Sequence, residues 1–208
     1  MKVFVVGPQK GYASWLKAAN LVDDIKDAEI VMFTGGEDVH PSFYNEKVGA
    51  YTSFNLDRDI YEAQMFAAAT ELQKPIIGIC RGSQLTCAMS GGRLVQHQTN
   101  PGAYHDITTW DGQELPISST HHQAQYPYEL PDTQFKLIAW TEGASKVHLD
   151  GTNKEISDKP FKEAEIVYYP KTNALGIQGH PEWMDRRKYG KTLEFLDGLV
   201  EKLLNNKL

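Results

Sequence analysis

The chain has 208 residues, with 27 Asp plus Glu against 21 Lys plus Arg, for a formal net charge of −6. At 41% hydrophobic and 23% charged it has the composition of a folded globule, which excludes intrinsic disorder, and the acidic balance excludes a nucleic-acid binder that works by neutralising phosphates. No apolar run approaches the roughly 20 residues of a membrane span, and the opening MKVFVVG is too short for a signal-peptide core, so a cytoplasmic protein of one domain over residues 1–208, without nucleic-acid or membrane partners, is expected.

Lys2 to Val6 and Glu29 to Phe33 read as buried strands, each stopped by glycine. Between them Trp15, Leu16, Ala19 and Val22 recur at helical spacing. Leu56 to Gln73 is a stronger helix, capped by Asn55 and stopped by Pro75, with Ile60, Ala63, Ala67 and Phe66 as its inner side. Pro75 to Ile79 is a third strand, and Ser83 to Ser90 suits a helix. Strands alternating with helices predict an α/β three-layer sandwich around a mostly parallel sheet.

The second half predicts short strands at Phe135 to Trp140, Ala144 to Leu149, Glu165 to Tyr169 and Ala174 to Gln178, joined as antiparallel hairpins by turns such as Glu142-Gly143 and Pro170 to Asn173. Asp150 to Lys162 reads as a surface loop. Arg186-Arg187-Lys188 reads as the solvated start of a closing amphipathic helix that contains Leu193, Leu196, Leu199, Val200, Leu203 and Leu204.

Two cysteines are too few for a disulfide framework or a thiolate zinc site. Cys80 stands in Gly78-Ile79-Cys80-Arg81-Gly82, between a strand and a helix, the pattern that exposes a nucleophile on a tight turn. The following helix N-terminus is expected to favour its thiolate. Cys87, beside Ala88 and Met89, is assigned to packing. A thiol nucleophile needs a base, and His180 in Gly179-His180-Pro181-Glu182-Trp183 has a carboxylate two positions on, on the same side in extended chain. Thr34-Gly35-Gly36-Glu37-Asp38, after the second strand, suits an oxyanion donor beside the Arg81 N–H. There is no P-loop or dinucleotide fingerprint.

Six ordered blocks then carry a resemblance. They are Gly35-Gly36-Glu37-Asp38-Val39-His40-Pro41 with Tyr44; Arg58-Asp59; Lys74 to Gln84; Gly91-Gly92 with Leu94; Ser119-Thr120-His121-His122-Gln123; and Gly176 to Trp183. Together they resemble the class I glutamine amidotransferase superfamily, in its γ-glutamyl hydrolase (peptidase C26) branch. The resemblance implies a flavodoxin-like sheet and a Cys80–His180–Glu182 triad, with backbone oxyanion donors at Gly36 and Arg81. It implies substrate contacts at Gly35, Gln84, Ser119, His121 and His122. Of the two adjacent histidines at most one is expected to face the pocket, since neighbours in extended chain point to opposite sides. Ser83 and Gly179 depart from the usual pattern and are expected to enlarge the pocket. Ser118 departs too, standing where an asparagine is more familiar.

The implied activity is hydrolysis of a γ-glutamyl amide, of glutamine or of a conjugate, through a γ-glutamyl thioester and without metal or other cofactor. A glutaminase chain serving a separate synthetase chain is the alternative, and a silent binding module the third reading. Zinc held by His121 and His122 with His40 or His105 finds no supporting ligand spacing.

Overall fold

The computed structural model describes residues 1–7, 10–99, 102–156 and 162–208. The chain begins with β1 (Lys2–Val6), a 3-10 helix (Lys10–Trp15), β2 (Asn20–Leu21), β3 (Ile30–Phe33), α1 (Leu56–Glu71), β4 (Ile76–Ile79) and α2 (Arg81–Met89). Short strands follow: β5 (Arg93–Val95), β6 (His97–Gln98), β7 (Tyr104–Thr109), β8 (Glu114–Ser118) and β9 (Ala124–Tyr126). The chain ends with β10 (Lys136–Glu142), β11 (His148–Leu149), β12 (Lys162–Tyr169), β13 (Ala174–Ile177), a 3-10 turn (Pro181–Trp183) and α3 (Gly190–Leu204).

Nine strands make one sheet in the order β2-β1-β3-β4-β13-β12-β10-β7-β8. The first five are parallel, with Gly176 of β13 opposite Gly78 of β4, and the last four continue the sheet antiparallel. One face packs on α3 and the Lys10–Trp15 helix, the other on α1 and α2, completing the α/β three-layer sandwich. On α3, Leu193, Leu196, Leu199 and Leu203 are at most 1% exposed, and burial of such side chains contributes roughly 1.5–3 kcal/mol each. Among the described residues no helix is long and apolar enough to cross a membrane.

Several expectations change. The helix read from Trp15, Leu16, Ala19 and Val22 is a 3-10 helix that ends at Trp15, followed by the edge strand β2 beside β1. Ala18 at φ 53° breaks the helical path between them. On α1 the inward residues are Asp59, Glu62, Phe66 and Ala69, whereas Ile60 is exposed and Ala67 faces out, because the buried Arg81 side chain meets that face. The strand expected at Ala144 to Leu149 shrinks to β11, which pairs with β6 instead of forming a hairpin with β10. β10 is instead held between β12 and β7. The Pro170 to Asn173 hairpin is present between β12 and β13. Of the Asp150 to Lys162 loop, residues 157–161 lie outside the described residues. Arg186 to Lys188 form a turn before α3, and Arg186 is tied to Asp197 of that helix at 2.7 Å.

Candidate active site

Because β3, β4 and β13 are adjacent and parallel, the segments leaving their carboxyl ends converge, as ligand-binding loops do in open α/β sheets. Those segments carry Gly35-Gly36, Cys80 and His180. One cleft results, lined from these three sides by Gly36, Asp38, Cys80, Gln84 and His180, with Tyr12 and Trp183 at its edge and His121 and His122 opposite.

Cys80 caps α2 with φ 53° and ψ −110°, a conformation that non-glycine residues rarely hold. Its N–H is bonded to the Ile177 carbonyl at 2.8 Å, which locks the turn against β13. The turn is tight enough that a Cβ on Gly82 would stand 2.3 Å from the Phe33 carbonyl oxygen, so glycine is required there. The expected bias towards thiolate is not the resting state. Burial, reinforced by Glu182 and Asp38, pushes the Cys80 thiol up to about 12, against the smaller opposing pull of the Arg81 N–H. Cys87 is fully buried on the α1 and α2 face, its thiol facing the Arg93 carbonyl.

His180 Nδ1 lies 2.7 Å from Glu182 Oε1. The pair forms at the start of the Pro181–Trp183 3-10 turn, not in the extended chain expected from spacing, and Pro181 at the first position stiffens it. With Nδ1 engaged, Nε2 is the imidazole nitrogen left for chemistry. Trp183 stacks flat on the ring at 3.7 Å between centroids and 4° between planes, and Tyr12 stands 6.0 Å away. Burial pushes the Tyr12 hydroxyl up to about 12, with Glu182 and Cys80 adding to it.

Ser118, at the end of β8, clamps the His180 backbone: its hydroxyl donates to the His180 carbonyl at 2.6 Å and accepts from the His180 N–H at 3.0 Å. No feature of the sequence around Ser118 signals this role. Gly179 does not enlarge the pocket, since a Cβ there would meet Ile117 at 2.5 Å and the Ser118 carbonyl at 2.6 Å. Ser83 likewise opens no space, being fully buried with its hydroxyl on the Cys80 carbonyl at 2.6 Å.

His121 and His122 both line the cleft, contrary to the expectation of one, because the chain bends at His122 and Gln123 and is not extended there. His121 is buried with Nδ1 3.0 Å from the Gln123 carbonyl, which makes Nδ1 the donor, and burial lowers its basicity. His122 pairs with Asp38 at 3.1 Å, which raises its pKa, and approaches His97 at 3.5 Å. Gln84 donates to the Gln123 carbonyl at 2.9 Å. Ser119 does not line the cleft: it is fully buried, and its neighbour Thr120 stands at the lining. Gly35 turns its carbonyl away to Arg58 Nη2 at 2.8 Å. The Arg81 side chain, whose N–H alone the motif singles out, is buried in ion pairs with Asp59 and Glu62 of α1. Among the described residues no group of three or more His, Cys, Asp or Glu is arranged to hold a metal.

The family model for peptidase C26 matches residues 15–129. The chain is 37% identical to a putative glutamine amidotransferase-like protein, YvdE, of Lactococcus lactis, over 51% of this chain and 44% of that protein. It is 30% identical to protein NtpR of Enterococcus hirae, over 76% of this chain and 68% of that one. The match thus spans less than half of the Lactococcus protein's length. Among solved structures, a glutamine amidotransferase from Thermotoga maritima superposes with a TM-score of 0.55 at 15% identity, over 98% of this chain and 94% of that one. A putative GMP synthase component from Thermoplasma acidophilum does so with a TM-score of 0.57 at 16% identity, over 99% of this chain and 98% of that one. Both are likenesses of fold. With the elbow and the converging loops, the family and sequence matches establish that the chain belongs to the peptidase C26 family of the class I glutamine amidotransferase-like superfamily.

Proposed function

We propose that the chain hydrolyses a γ-glutamyl amide bond, of glutamine or of a γ-glutamyl amine, through a γ-glutamyl thioester on Cys80. The reading is carried by one observation: a cysteine held at positive φ on a helix N-terminus shares a cleft with a His–Glu pair bonded at 2.7 Å. His180 Nε2 takes the thiol proton as Sγ attacks the γ-carbonyl carbon, and the oxyanion that forms accepts from the Gly36 and Arg81 N–H groups. Collapse breaks the C–N bond, and the imidazolium returns the proton to the departing amine or ammonia. Water, deprotonated by His180, then cleaves the thioester, releasing glutamate and the Cys80 thiol. Glu182 fixes the His180 tautomer and stabilises its cation.

Because burial favours the neutral thiol, attack by Sγ requires His180 to take its proton. No metal or redox cofactor enters the scheme. The relative named for glutamine amidotransferase-like character supports glutamine or a close analogue as substrate class. Delivery of ammonia to a separate synthetase is the second reading, favoured by the end-to-end likeness to the putative GMP synthase component.

Glutamate release from glutamine and from a panel of γ-glutamyl amines tests the proposal. Turnover by the wild type with loss in Cys80→Ala is expected; turnover retained in Cys80→Ala overturns it. Low glutaminase activity that rises only on addition of a synthetase chain selects the second reading.

A further inference from the structure

Two motifs, Arg58-Asp59 on α1 and the Arg81 side chain, have no part in the chemistry above, yet they form one buried unit. Asp59 and Glu62 are 0% exposed and Arg81 is 1% exposed. The Arg81 guanidinium donates to Asp59 Oδ1 and to Glu62 Oε2. Glu62 Oε1 accepts from Arg58 Nε at 2.7 Å, so this carboxylate is shared between the two arginines. Arg58 then reaches the loop after β3, donating to the Gly35 carbonyl at 2.8 Å and to Glu37 at 2.9 Å, while Asp59 Oδ2 accepts from the His40 N–H at 3.1 Å.

We propose that Arg58, Asp59, Glu62 and Arg81 are positioning residues: a buried ionic brace that sets the Gly36 and Arg81 N–H groups at a fixed separation and direction, ready for the oxyanion. The inference rests on the thioester reading of the cleft.

The geometry carries it in two steps. Gly35 C=O and Gly36 N–H belong to one planar trans peptide and point in opposite directions. Holding the Gly35 carbonyl on Arg58 therefore aims the Gly36 N–H the other way, and Gly36 lines the cleft. The second donor belongs to Arg81, whose own side chain is fixed in a two-pronged grip on α1. Glu62 joins the two arginines, and Asp59 joins Arg81 to the loop at His40, so the two arms cannot move independently. A buried ion network is commonly no more stabilising than apolar packing of the same volume, so stability alone does not account for four charges here, whereas directional placement does. Preorganised donors are what oxyanion stabilisation requires.

The test compares Arg58→Gln, Arg58→Lys and Arg81→Lys with the wild type and with Arg187→Gln, which touches only the exposed Asp185 pair. Each is assayed for kcat and KM on the best γ-glutamyl amide, and for inhibition by the corresponding γ-aldehyde, which forms a tetrahedral hemithioacetal on a thiol. In Arg58→Gln, kcat is expected to fall roughly 10- to 100-fold, with KM within about threefold and aldehyde affinity weakened by the same factor as kcat/KM. Arg58→Lys keeps the charge but not the fork and is expected to recover only part of the loss. Arg187→Gln is expected to match the wild type.

Circular dichroism and melting confirm that each variant is folded. Arg58 lies at the edge of the network, with 13% of its side chain exposed, so its variants carry the test if Arg81→Lys does not fold. Folded Arg58 variants with kcat within about threefold of wild type, or a loss of kcat with unchanged aldehyde affinity, overturn the brace. A wild type that cleaves no γ-glutamyl amide overturns the thioester reading itself, and the two failures are thereby distinct.

Discussion

The parallel strands β2-β1-β3-β4-β13 and the antiparallel strands β12-β10-β7-β8 share one sheet but contribute different things to the cleft. The parallel half supplies Gly36, Cys80 and His180 from loops at strand ends, each fixed by backbone geometry: a positive φ, a planar peptide, a proline-started turn. The antiparallel half and the short strands beside it supply side chains: His121 and His122 line the opposite wall, and the buried Ser118 holds the His180 backbone. Main-chain conformation thus sets the loops that carry Gly36, Cys80 and His180, and polar side chains form the opposite wall. Changes on the first side are expected to act on kcat and those on the second on KM and leaving-group preference.

The largest expected effect separates the halves most sharply. His180→Ala is expected to lower kcat by about 10⁶-fold with the fold intact, as removal of the base does in comparable nucleophile–histidine sites. Steady-state kinetics on a γ-glutamyl amide checks it. Next, Gly82→Ala places a Cβ against the Phe33 carbonyl and is expected to cost about 3 kcal/mol, at the upper end for overpacking, read as a lowered denaturation midpoint. Ser118→Ala removes both hydrogen bonds that its hydroxyl makes to the His180 backbone, leaving the Ser118 carbonyl on the His180 N–H at 3.3 Å, and is expected to cost roughly 1–2 kcal/mol with a kcat loss of about tenfold. This variant probes the seam, since Ser118 belongs to the antiparallel half but acts on a parallel-half residue. His122→Gln is expected to raise KM roughly three- to tenfold with kcat nearly unchanged, an effect of about 1 kcal/mol.

The smallest effect concerns pH. The pKa of His122 is raised, chiefly by its hydrogen bond to Asp38, so the folded state binds its proton more tightly than the unfolded chain. The stability this pair contributes is present in full below the unfolded imidazole value of about 6.5 and is lost as pH rises through the folded value. Asp38→Asn is expected to lower the His122 titration midpoint by NMR and to narrow the stability difference between acidic and alkaline solution. An unchanged midpoint contradicts the pairing.

Legibility in the sequence divides along the same line. Runs such as Lys2–Val6 and Ile76–Ile79 are largely apolar, the first stopped by Gly7 and the second preceded by Pro75, and both are set within the parallel sheet, so composition alone marks them. Tyr104–Thr109 and Glu114–Ser118 mix polar and apolar residues and become strands through each other, and a two-residue strand such as β11 exists only because His97 and Gln98 lie opposite. The inner face of α1 is hidden for a related reason. Hydropathy ranks Ile60 above Asp59, and only the arrival of Arg81 from another element reverses the order. Cys80, His180 and Glu182 are legible as candidates because their spacing in motifs is local. The Cys80 thiol's raised pKa is not, since burial by distant segments outweighs the local helix end. Tyr12 and the Ser118 clamp are contacts between segments far apart in the chain, with no local signal.

The central claim is that the amide carbonyl is carried on Cys80. Acid quenching during turnover, followed by peptide mass spectrometry, tests it directly. The account predicts a mass gain of one γ-glutamyl group on the peptide bearing Cys80, absent in Cys80→Ala and accumulating when thioester hydrolysis is slowed. A γ-glutamyl group found on Cys87, or steady turnover with no acylated cysteine at any quench time, would contradict it.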